Sequence, residues 1–253
     1  MNFNLNNCEN IFILGAGHGI GLGLVRTALE ENKEVHVYAT YRNKAAAEEL
    51  IQLAEQVSRL SIYQVDPTQE SELRELSKNL MFSDKLFHLM INCVGVLNDS
   101  QVFPEKSLKD ISMDNLLHSF KVNTVVAALF AKTFEKLFSF SNQTMLINIS
   151  AKVGSIEDNG MGGWYGYRSS KAALNMITKN VAIEFSRKKK NCIVLAIHPG
   201  TTHTSLSEDY IKNTKYKIHT PLETARNILG VAKGKTVEDS GEFYSWNGEK
   251  IPW

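Results

Sequence analysis

The chain of 253 residues is 43% hydrophobic and 22% charged, so it can bury a sizeable core as one domain over residues 1–253. Its 28 basic and 27 acidic residues leave a net charge of +1, which gives no electrostatic basis for a nucleic-acid or membrane-surface partner. The three cysteines lack disulfide or zinc spacing and no apolar run is long enough to cross a membrane, so we expect a cytoplasmic protein without a metal site.

Short apolar runs alternate with longer segments of helical period along the chain. Most of these runs are almost continuously apolar, which is typical of strands buried on both faces of a parallel sheet. The predicted strands are Ile11 to Leu14, Val35 to Thr40, Ser61 to Val65, Leu86 to Asn92, Met145 to Ile149, Ile193 to Ile197 and Phe243 to Trp246, and the predicted helices are Ile20 to Glu31, Lys44 to Ser58, Glu70 to Asn79, Met113 to Phe138 and Tyr167 to Arg187. This β-α-β alternation predicts a doubly wound α/β fold.

A glycine-rich turn, Gly15-Ala16-Gly17-His18-Gly19-Ile20-Gly21, lies between the first predicted strand and the first predicted helix. Glycines permit a tight turn and let the backbone approach a pyrophosphate, whose charge is stabilised by the amides and the positive end of the helix. The turn therefore predicts a dinucleotide site.

The end of the second strand bears on the choice of dinucleotide. An acidic residue there would bind the ribose hydroxyls, but the sequence has Tyr41 and Arg42 instead. Because a guanidinium pairs well with phosphate, Arg42 favours NADP over NAD. The alternative is that Arg42 only caps a surface loop.

Tyr167 and Lys171 are four residues apart on a predicted helix and so share one of its faces. A tyrosine titrates near pH 10, and a neighbouring positive charge lowers its pKa toward the range where acid-base exchange is efficient. Together with a dinucleotide site, the pair predicts a hydride-transfer enzyme. Without that site, the two residues would be read as a solvated helix face.

Several motifs in the same order give the chain a resemblance to the short-chain dehydrogenase/reductase family, in its single-domain branch, over nearly the whole length. The matching residues are the glycine turn, Asp66, Asn92-Cys93-Val94-Gly95, Asn123, Tyr167 with Lys171, and Pro199-Gly200-Thr201-Thr202-His203-Thr204. The resemblance implies a three-layer α/β/α Rossmann fold, with a parallel seven-stranded sheet in the order 3-2-1-4-5-6-7. It also implies cofactor contacts from Gly15, Gly19, Ile20, Gly21, Asp66, Asn92, Gly95, Tyr167, Lys171, Pro199, Thr202 and Thr204.

Three further stretches are similar to the C-factor-like and sniffer-like carbonyl reductases within that family. They are Ser150-Ala151-Lys152-Val153-Gly154-Ser155-Ile156, Gly162-Gly163-Trp164-Tyr165-Gly166-Tyr167-Arg168 and Ile251-Pro252-Trp253. This similarity implies NADPH-dependent reduction of a small-molecule aldehyde or ketone to an alcohol. Tyr167 would be the general acid, Lys171 would hold the ribose and lower the tyrosine pKa, and Asn123 would support a water in the proton relay.

The sequence departs from the family pattern at three positions. Leu14 and Cys93 replace polar residues at the ends of the first and fourth strands, where we expect them to lie close together. Ala151 occupies the usual place of the catalytic serine. Ser150 is the favoured substitute, although neighbouring strand residues point to opposite faces, and Ser155 or no serine at all are the alternatives.

Two other functions and the assembly are left as expectations. A regulatory or signalling protein of the C-factor type, binding NAD(P) with little turnover, is favoured by Ala151 and opposed by the presence of Asn123, Tyr167 and Lys171. A sugar-nucleotide epimerase would share the Tyr167–Lys171 spacing but resembles a longer type with a large C-terminal domain. The resemblance implies a homodimer or homotetramer, and a small substrate lid at about residues 205–220.

Overall fold

The computed structural model describes residues 2–100, 102–140, 142–188, 190–211 and 216–253. Its strands are β1 (Asn10–Leu14), β2 (His36–Tyr41), β3 (Leu60–Gln64), β4 (Leu89–Asn92), β5 (Thr144–Ile149), β6 (Cys192–His198), β7 (Thr201–Thr202), β8 (Ile218–His219) and β9 (Phe243–Ser245). Seven of them form one parallel sheet in the order β3-β2-β1-β4-β5-β6-β9, while β7 and β8 pair separately. The predicted fold and strand order are confirmed, with β9 as the seventh strand of the sheet.

The helices are α1 (Gly19–Glu31), α2 (Glu48–Gln56), α3 (Glu70–Phe82), α4 (Met113–Phe120), α5 (Val126–Phe134), α6 (Tyr165–Arg187), α7 (Glu208–Ile211) and α8 (Pro221–Ala232). Sequence analysis missed α7 and α8. The signal for α8 was present, because Thr220 and Glu223 form a capping box around a proline at the first helical position.

The predicted helix over Met113 to Phe138 is wrong as a single element. A π-helical turn, Lys121–Val125, separates α4 from α5, and a short 3₁₀ turn, Glu135–Leu137, follows α5. Asn123 lies in the π turn, and such turns are frequent at functional sites.

Two apolar cores cover the two faces of the sheet. Alternate residues of β1 serve them, since Ile11 and Ile13 pack in one core and Phe12 and Leu14 in the other. The first core is completed by α1, α2 and α8, and the second by α3, α5 and α6. A strand buried on both faces must be apolar throughout, which explains the continuous runs in the sequence.

The parallel strands bring their carboxyl ends to one edge of the sheet. The glycine turn follows β1 there, Cys93 follows β4, Ser150 follows β5 and Pro199 follows β6. In open sheets of this kind ligands bind at that edge. Within the described ranges, no helix is both long and apolar enough to span a bilayer.

Candidate active site

The glycine turn brings the start of α1 very close to the end of β1. Gly15 is left-handed with φ 81°, and its N–H donates to Thr40 Oγ1 at 2.9 Å. A Cβ on Gly21 would lie 2.3 Å from the Gly15 carbonyl oxygen, so only glycine allows this approach. The N-cap residue, His18, makes no side-chain cap bond, which leaves the first amides of the helix without a side-chain acceptor in the described part of the chain. A pyrophosphate fits such a helix N-terminus.

Arg42 and Asp66 flank the ends of β2 and β3 near this turn. Arg42 is exposed, and its guanidinium makes no ion pair with any described residue. The Asp66 carboxylate accepts through Oδ1 from Thr68 N at 2.9 Å and from Thr68 Oγ1 at 2.8 Å, which fixes its orientation. Arg42 is therefore available to an incoming anion, while Asp66 is held in place by its own turn.

The segment after β4 joins the glycine turn to α6. A Cβ on Gly15 would lie 2.9 Å from Val94 Cγ2, and one on Gly95 would lie 3.3 Å from Lys171 Nζ and 3.4 Å from Asn123 Oδ1. The segment after β4 therefore lies between the glycine turn on one side and Asn123 and Lys171 on the other. Its close approach to Lys171 and Asn123 is possible because Gly95 has no side chain.

Tyr167 and Lys171 share one face of α6, as their spacing predicts. The Lys171 ammonium is 3% exposed, donates to the Ile149 carbonyl oxygen at 3.0 Å and lies 5.9 Å from the centroid of the Tyr167 ring. Burial lowers the Lys171 pKa to about 8. The ammonium is thus mostly charged at pH 7 although it is removed from water.

The expectation that Lys171 lowers the Tyr167 pKa is not met in the protein alone. Burial raises the pKa of the phenol above its usual value, because the charged phenolate would lose its hydration. The Lys171 ammonium, 5.9 Å from the centroid of the ring, does not outweigh this effect. The Tyr167 phenol is therefore protonated at neutral pH.

Asn123 fastens the segment after β4 to α6. Its side chain is 1% exposed, accepts from Val96 N at 2.8 Å and donates to Val96 O at 2.9 Å and to Ser170 Oγ at 3.0 Å. Both amide hydrogens are therefore used by the protein, and only a lone pair of Oδ1 is left for a water.

Asn92 is the last residue of β4, and its side-chain amide bonds to the protein at both ends. Its Nδ2 donates to Asn148 Oδ1 at 3.1 Å, and its Oδ1 accepts from Val94 N at 3.1 Å. The side chain is buried and ties β4 to β5 and to the segment above it. Asn92 therefore stabilises the conformation of the segment after β4.

Neither candidate serine has a free hydroxyl. Ser150 is 2% exposed and donates to Asn175 Oδ1 at 2.6 Å. Asn175 lies eight residues beyond Tyr167, about 12 Å further along the axis of α6. The Ser150 amide pairs with Ile197 O as a continuation of the sheet, so the chain has not yet turned at this residue. Ser155 accepts from Asp158 N at 3.1 Å and contacts Trp253 O at 3.5 Å.

The loop after β6 folds over the glycine turn. A Cβ on Gly19 would lie 3.2 Å from Thr204 Cγ2. Thr202 faces the other way, since its buried hydroxyl pairs with Thr224 Oγ1 of α8 at 2.8 Å. Pro199 directly follows β6 at the same edge of the sheet. The loop thus brings Thr204 toward the glycine turn, while the Thr202 hydroxyl is engaged with α8.

The predicted lid is described except for residues 212–215, which lie outside the described residues. Within it, Asp209 Oδ2 accepts from Asn98 Nδ2 at 3.3 Å. The Tyr210 ring lies 5.3 Å from the Trp164 ring, which in turn lies 6.2 Å from the Tyr167 ring. The short helix α7 therefore contacts Trp164, whose ring lies beside Tyr167.

The expected proximity of Leu14 and Cys93 is confirmed. The Cys93 N–H donates to the Leu14 carbonyl oxygen at 2.9 Å, and the Leu14 side chain is fully buried. Burial raises the pKa of the Cys93 thiol to about 12, which keeps it protonated.

Within the described ranges no cluster of His, Cys, Asp and Glu is arranged to hold a metal ion.

Sequence reasoning missed Glu105, which is fully buried at the first turn of α6. Its Oε2 accepts from Gly166 N at 3.0 Å. No pattern around it could have indicated this, because its partner is 61 residues away in the chain.

A doubly wound sheet with a glycine turn after β1 and a Tyr167–Lys171 face on α6 defines an oxidoreductase that uses a nicotinamide dinucleotide. Comparison with known sequences identifies the family to which the chain belongs. The family described as short chain dehydrogenase matches residues 9–215, and the chain belongs to this family.

Individual relatives are similar over nearly the whole chain. An uncharacterised oxidoreductase of Schizosaccharomyces pombe is 26% identical over 260 residues, which cover 95% of this chain and 96% of the relative. The structure of the carbonyl reductase Sniffer of D. melanogaster has a TM-score of 0.85 at 25% identity and covers 97% of this chain and 99% of its own. An NADPH-bound carbonyl reductase from chicken fatty liver has a TM-score of 0.87 at 25% identity, over 97% and 94% of the two chains.

Proposed function

We propose that the protein is an NADP-dependent carbonyl reductase that converts an aldehyde or ketone to an alcohol. The observation that carries this proposal is the half-buried phenol of Tyr167 beside the buried ammonium of Lys171. Val94 and Gly95 connect this pair to the glycine turn, because Val94 lies against Gly15 and Gly95 lies against Lys171. The similarity to two carbonyl reductase structures, one of them NADPH-bound, supports the reaction and the cofactor.

The cofactor would be held mainly by backbone. Gly15, Gly19, Ile20 and Gly21 would hold the pyrophosphate at the start of α1, where the amides have no side-chain acceptor among the described residues. The exposed guanidinium of Arg42, which forms no ion pair within the described ranges, would bind the 2′-phosphate. When bound, NADPH supplies the hydride.

Tyr167 would donate the proton to the carbonyl oxygen as negative charge develops there. Its raised pKa keeps the proton in place until the substrate arrives. Lys171 would stabilise the resulting phenolate and hold the ribose, and Asn123 would fix the Gly95 segment that lies against both. A positioned acid of this kind contributes roughly 10²- to 10⁴-fold in rate.

The substrate oxygen would receive no hydroxyl from Ser150 in this arrangement. That hydroxyl is committed to Asn175, and Ala151 occupies the usual serine position. Tyr167 would then be the main side-chain donor to the oxygen, so we expect a slower reaction than a site with an additional hydroxyl would give.

The test is NADPH and NADH consumption with a panel of aldehydes, diketones and quinones, for the wild type, Tyr167→Phe and Tyr165→Phe. Tyr165 lies on the same first turn of α6 and serves as a matched control. We expect faster turnover with NADPH, a loss of about 10²-fold or more in Tyr167→Phe and little change in Tyr165→Phe. Equal activity of wild type and Tyr167→Phe would refute the mechanism.

A regulatory function of the C-factor type is the second candidate, favoured by Ala151 and by the engaged Ser150 hydroxyl. Tight NADPH binding with no turnover in the wild type would favour it.

The homodimer or homotetramer stays a prediction, which a molar-mass measurement in solution tests. Exposed Met113 and Leu117 on α4 and Met176 on α6 are apolar side chains that such an assembly would cover.

A further inference from the structure

Glu105 is a carboxylate that is 0% exposed, in the connection between β4 and α4. Burying a charge is unfavourable unless it is paired or well hydrogen-bonded. No lysine, arginine or histidine of the described ranges forms an ion pair with it. Instead Oε1 accepts from Asn115 Nδ2 and Oε2 accepts from Gly166 N at 3.0 Å. The carboxylate is therefore held by neutral donors and by the start of a helix.

That helix is α6, which carries Tyr167. Its N-cap residue, Trp164, supplies no side-chain cap, so the first amides need acceptors from elsewhere. Glu105 provides two, since its carboxylate accepts from Gly166 N and its carbonyl oxygen accepts from Trp164 N at 2.5 Å. A negative charge at this end of a helix also interacts favourably with the helix dipole.

The fit around the first turn is close. A Cβ on Gly166 would lie 2.9 Å from Glu105 Oε1 and 3.1 Å from Ser119 Oγ, so the helix sits against the carboxylate with no room for a side chain. Trp164 is left-handed with φ 50°, an unfavourable conformation for a bulky residue. The bond from its amide to Glu105 helps to hold it there.

The position of this turn decides where the phenol lies, because Tyr167 directly follows Gly166 and the Trp164 ring is 6.2 Å from the Tyr167 ring. We propose that Glu105 is a positioning residue, which fixes the first turn of α6 and through it places the Tyr167 phenol for proton donation. This inference rests on the proposed function of Tyr167. Glu105 itself touches no reacting group.

The test compares Glu105→Gln with the wild type in steady-state kinetics. The variant keeps the volume of the side chain, but its amide nitrogen must face either Gly166 N–H or the Asn115 amide, donor against donor. Misplacement of a catalytic group by about 1 Å can lower a rate roughly 100-fold. We expect kcat to fall about 10- to 100-fold, while KM for NADPH changes less than about twofold because the glycine turn is not involved.

A control variant separates positioning from general loss of stability. Glu223→Gln removes the capping carboxylate of α8, which accepts from Thr220 N at 2.7 Å, and should lower the melting temperature without lowering kcat. A kcat for Glu105→Gln within about twofold of the wild type, or an equal fall of kcat in Glu223→Gln, overturns the proposal.

A measurement that needs no turnover distinguishes this inference from the proposed function. Amide hydrogen exchange in the first turn of α6 should be at least about tenfold faster in Glu105→Gln than in the wild type. An inactive wild type refutes the proposed function alone, whereas unchanged exchange in the variant refutes the role of Glu105.

Discussion

Gly154 packs directly against α6 beside Lys171, and a side chain there would push the turn and the helix apart. A Cβ on Gly154 would lie 2.8 Å from Lys171 Cβ, 2.9 Å from Lys171 C and 3.1 Å from Ala172 N. Ordinary contacts of a Cβ atom begin near 3.4 Å. Gly154→Ala therefore requires the turn and the helix to separate by about half an ångström, since the helix backbone cannot bend away locally.

The expected magnitudes follow from this separation. Overpacking of this kind costs about 1–3 kcal/mol. For a chain of this size each kcal/mol lowers the melting temperature by about 2–4 °C, so the total is about 2–12 °C. A shift of about half an ångström at Lys171 also moves its ammonium relative to Tyr167, and we expect kcat to fall about tenfold.

Thermal unfolding and NADPH-dependent turnover of Gly154→Ala measure the two effects separately. Gly160→Ala is the matched control, because a Cβ on Gly160 in the same connection has no heavy atom within 4 Å. If Gly154→Ala has the melting temperature and the kcat of the wild type, α6 does not pack against the turn at Gly154 as described. Equal losses in Gly160→Ala would attribute the effect to the stiffness of the connection instead.

Three further predictions concern the cofactor and the site. Arg42→Ala should raise KM for NADPH about 10- to 100-fold and leave KM for NADH unchanged, whereas Lys33→Ala should change neither; equal effects on both cofactors would contradict the assignment. Unfolded Lys171 keeps its proton to about pH 10.5 and the folded protein releases it near pH 8, so folding is penalised below pH 8 and the penalty fades as the pH rises to 10.5. The wild type should therefore gain stability relative to Lys171→Met as the pH rises from 8 to 10.5, so that the melting temperature of the variant minus that of the wild type falls. A difference that does not change with pH would refute the lowered pKa of Lys171. Ala151→Ser should raise kcat about tenfold by adding a donor for the substrate oxygen, and unchanged kcat would show that Tyr167 suffices.

The apolar runs predicted the strands because burial on both faces leaves no position for a polar side chain. The order of the strands came from the resemblance to a family, since periodicity does not state which strands pair. The same periodicity failed over Met113 to Phe138, where the apolar pattern continues across Asn123. The break there is formed by bonds from Asn123 to Val96 and Ser170, which are 27 and 47 residues away.

Local sequence patterns were sufficient to predict the glycine turn, the shared face of Tyr167 and Lys171 and the strands that lead into these elements. Each of these depends on neighbours within a few residues, whose conformations and spacing are local. Three features could be seen only in the folded chain: the raised pKa of Tyr167, the hydrogen bond from Ser150 to Asn175 and the burial of Glu105 beneath α6. These depend on desolvation and on hydrogen bonds between distant segments, which exist only after the sheet and its helices have packed.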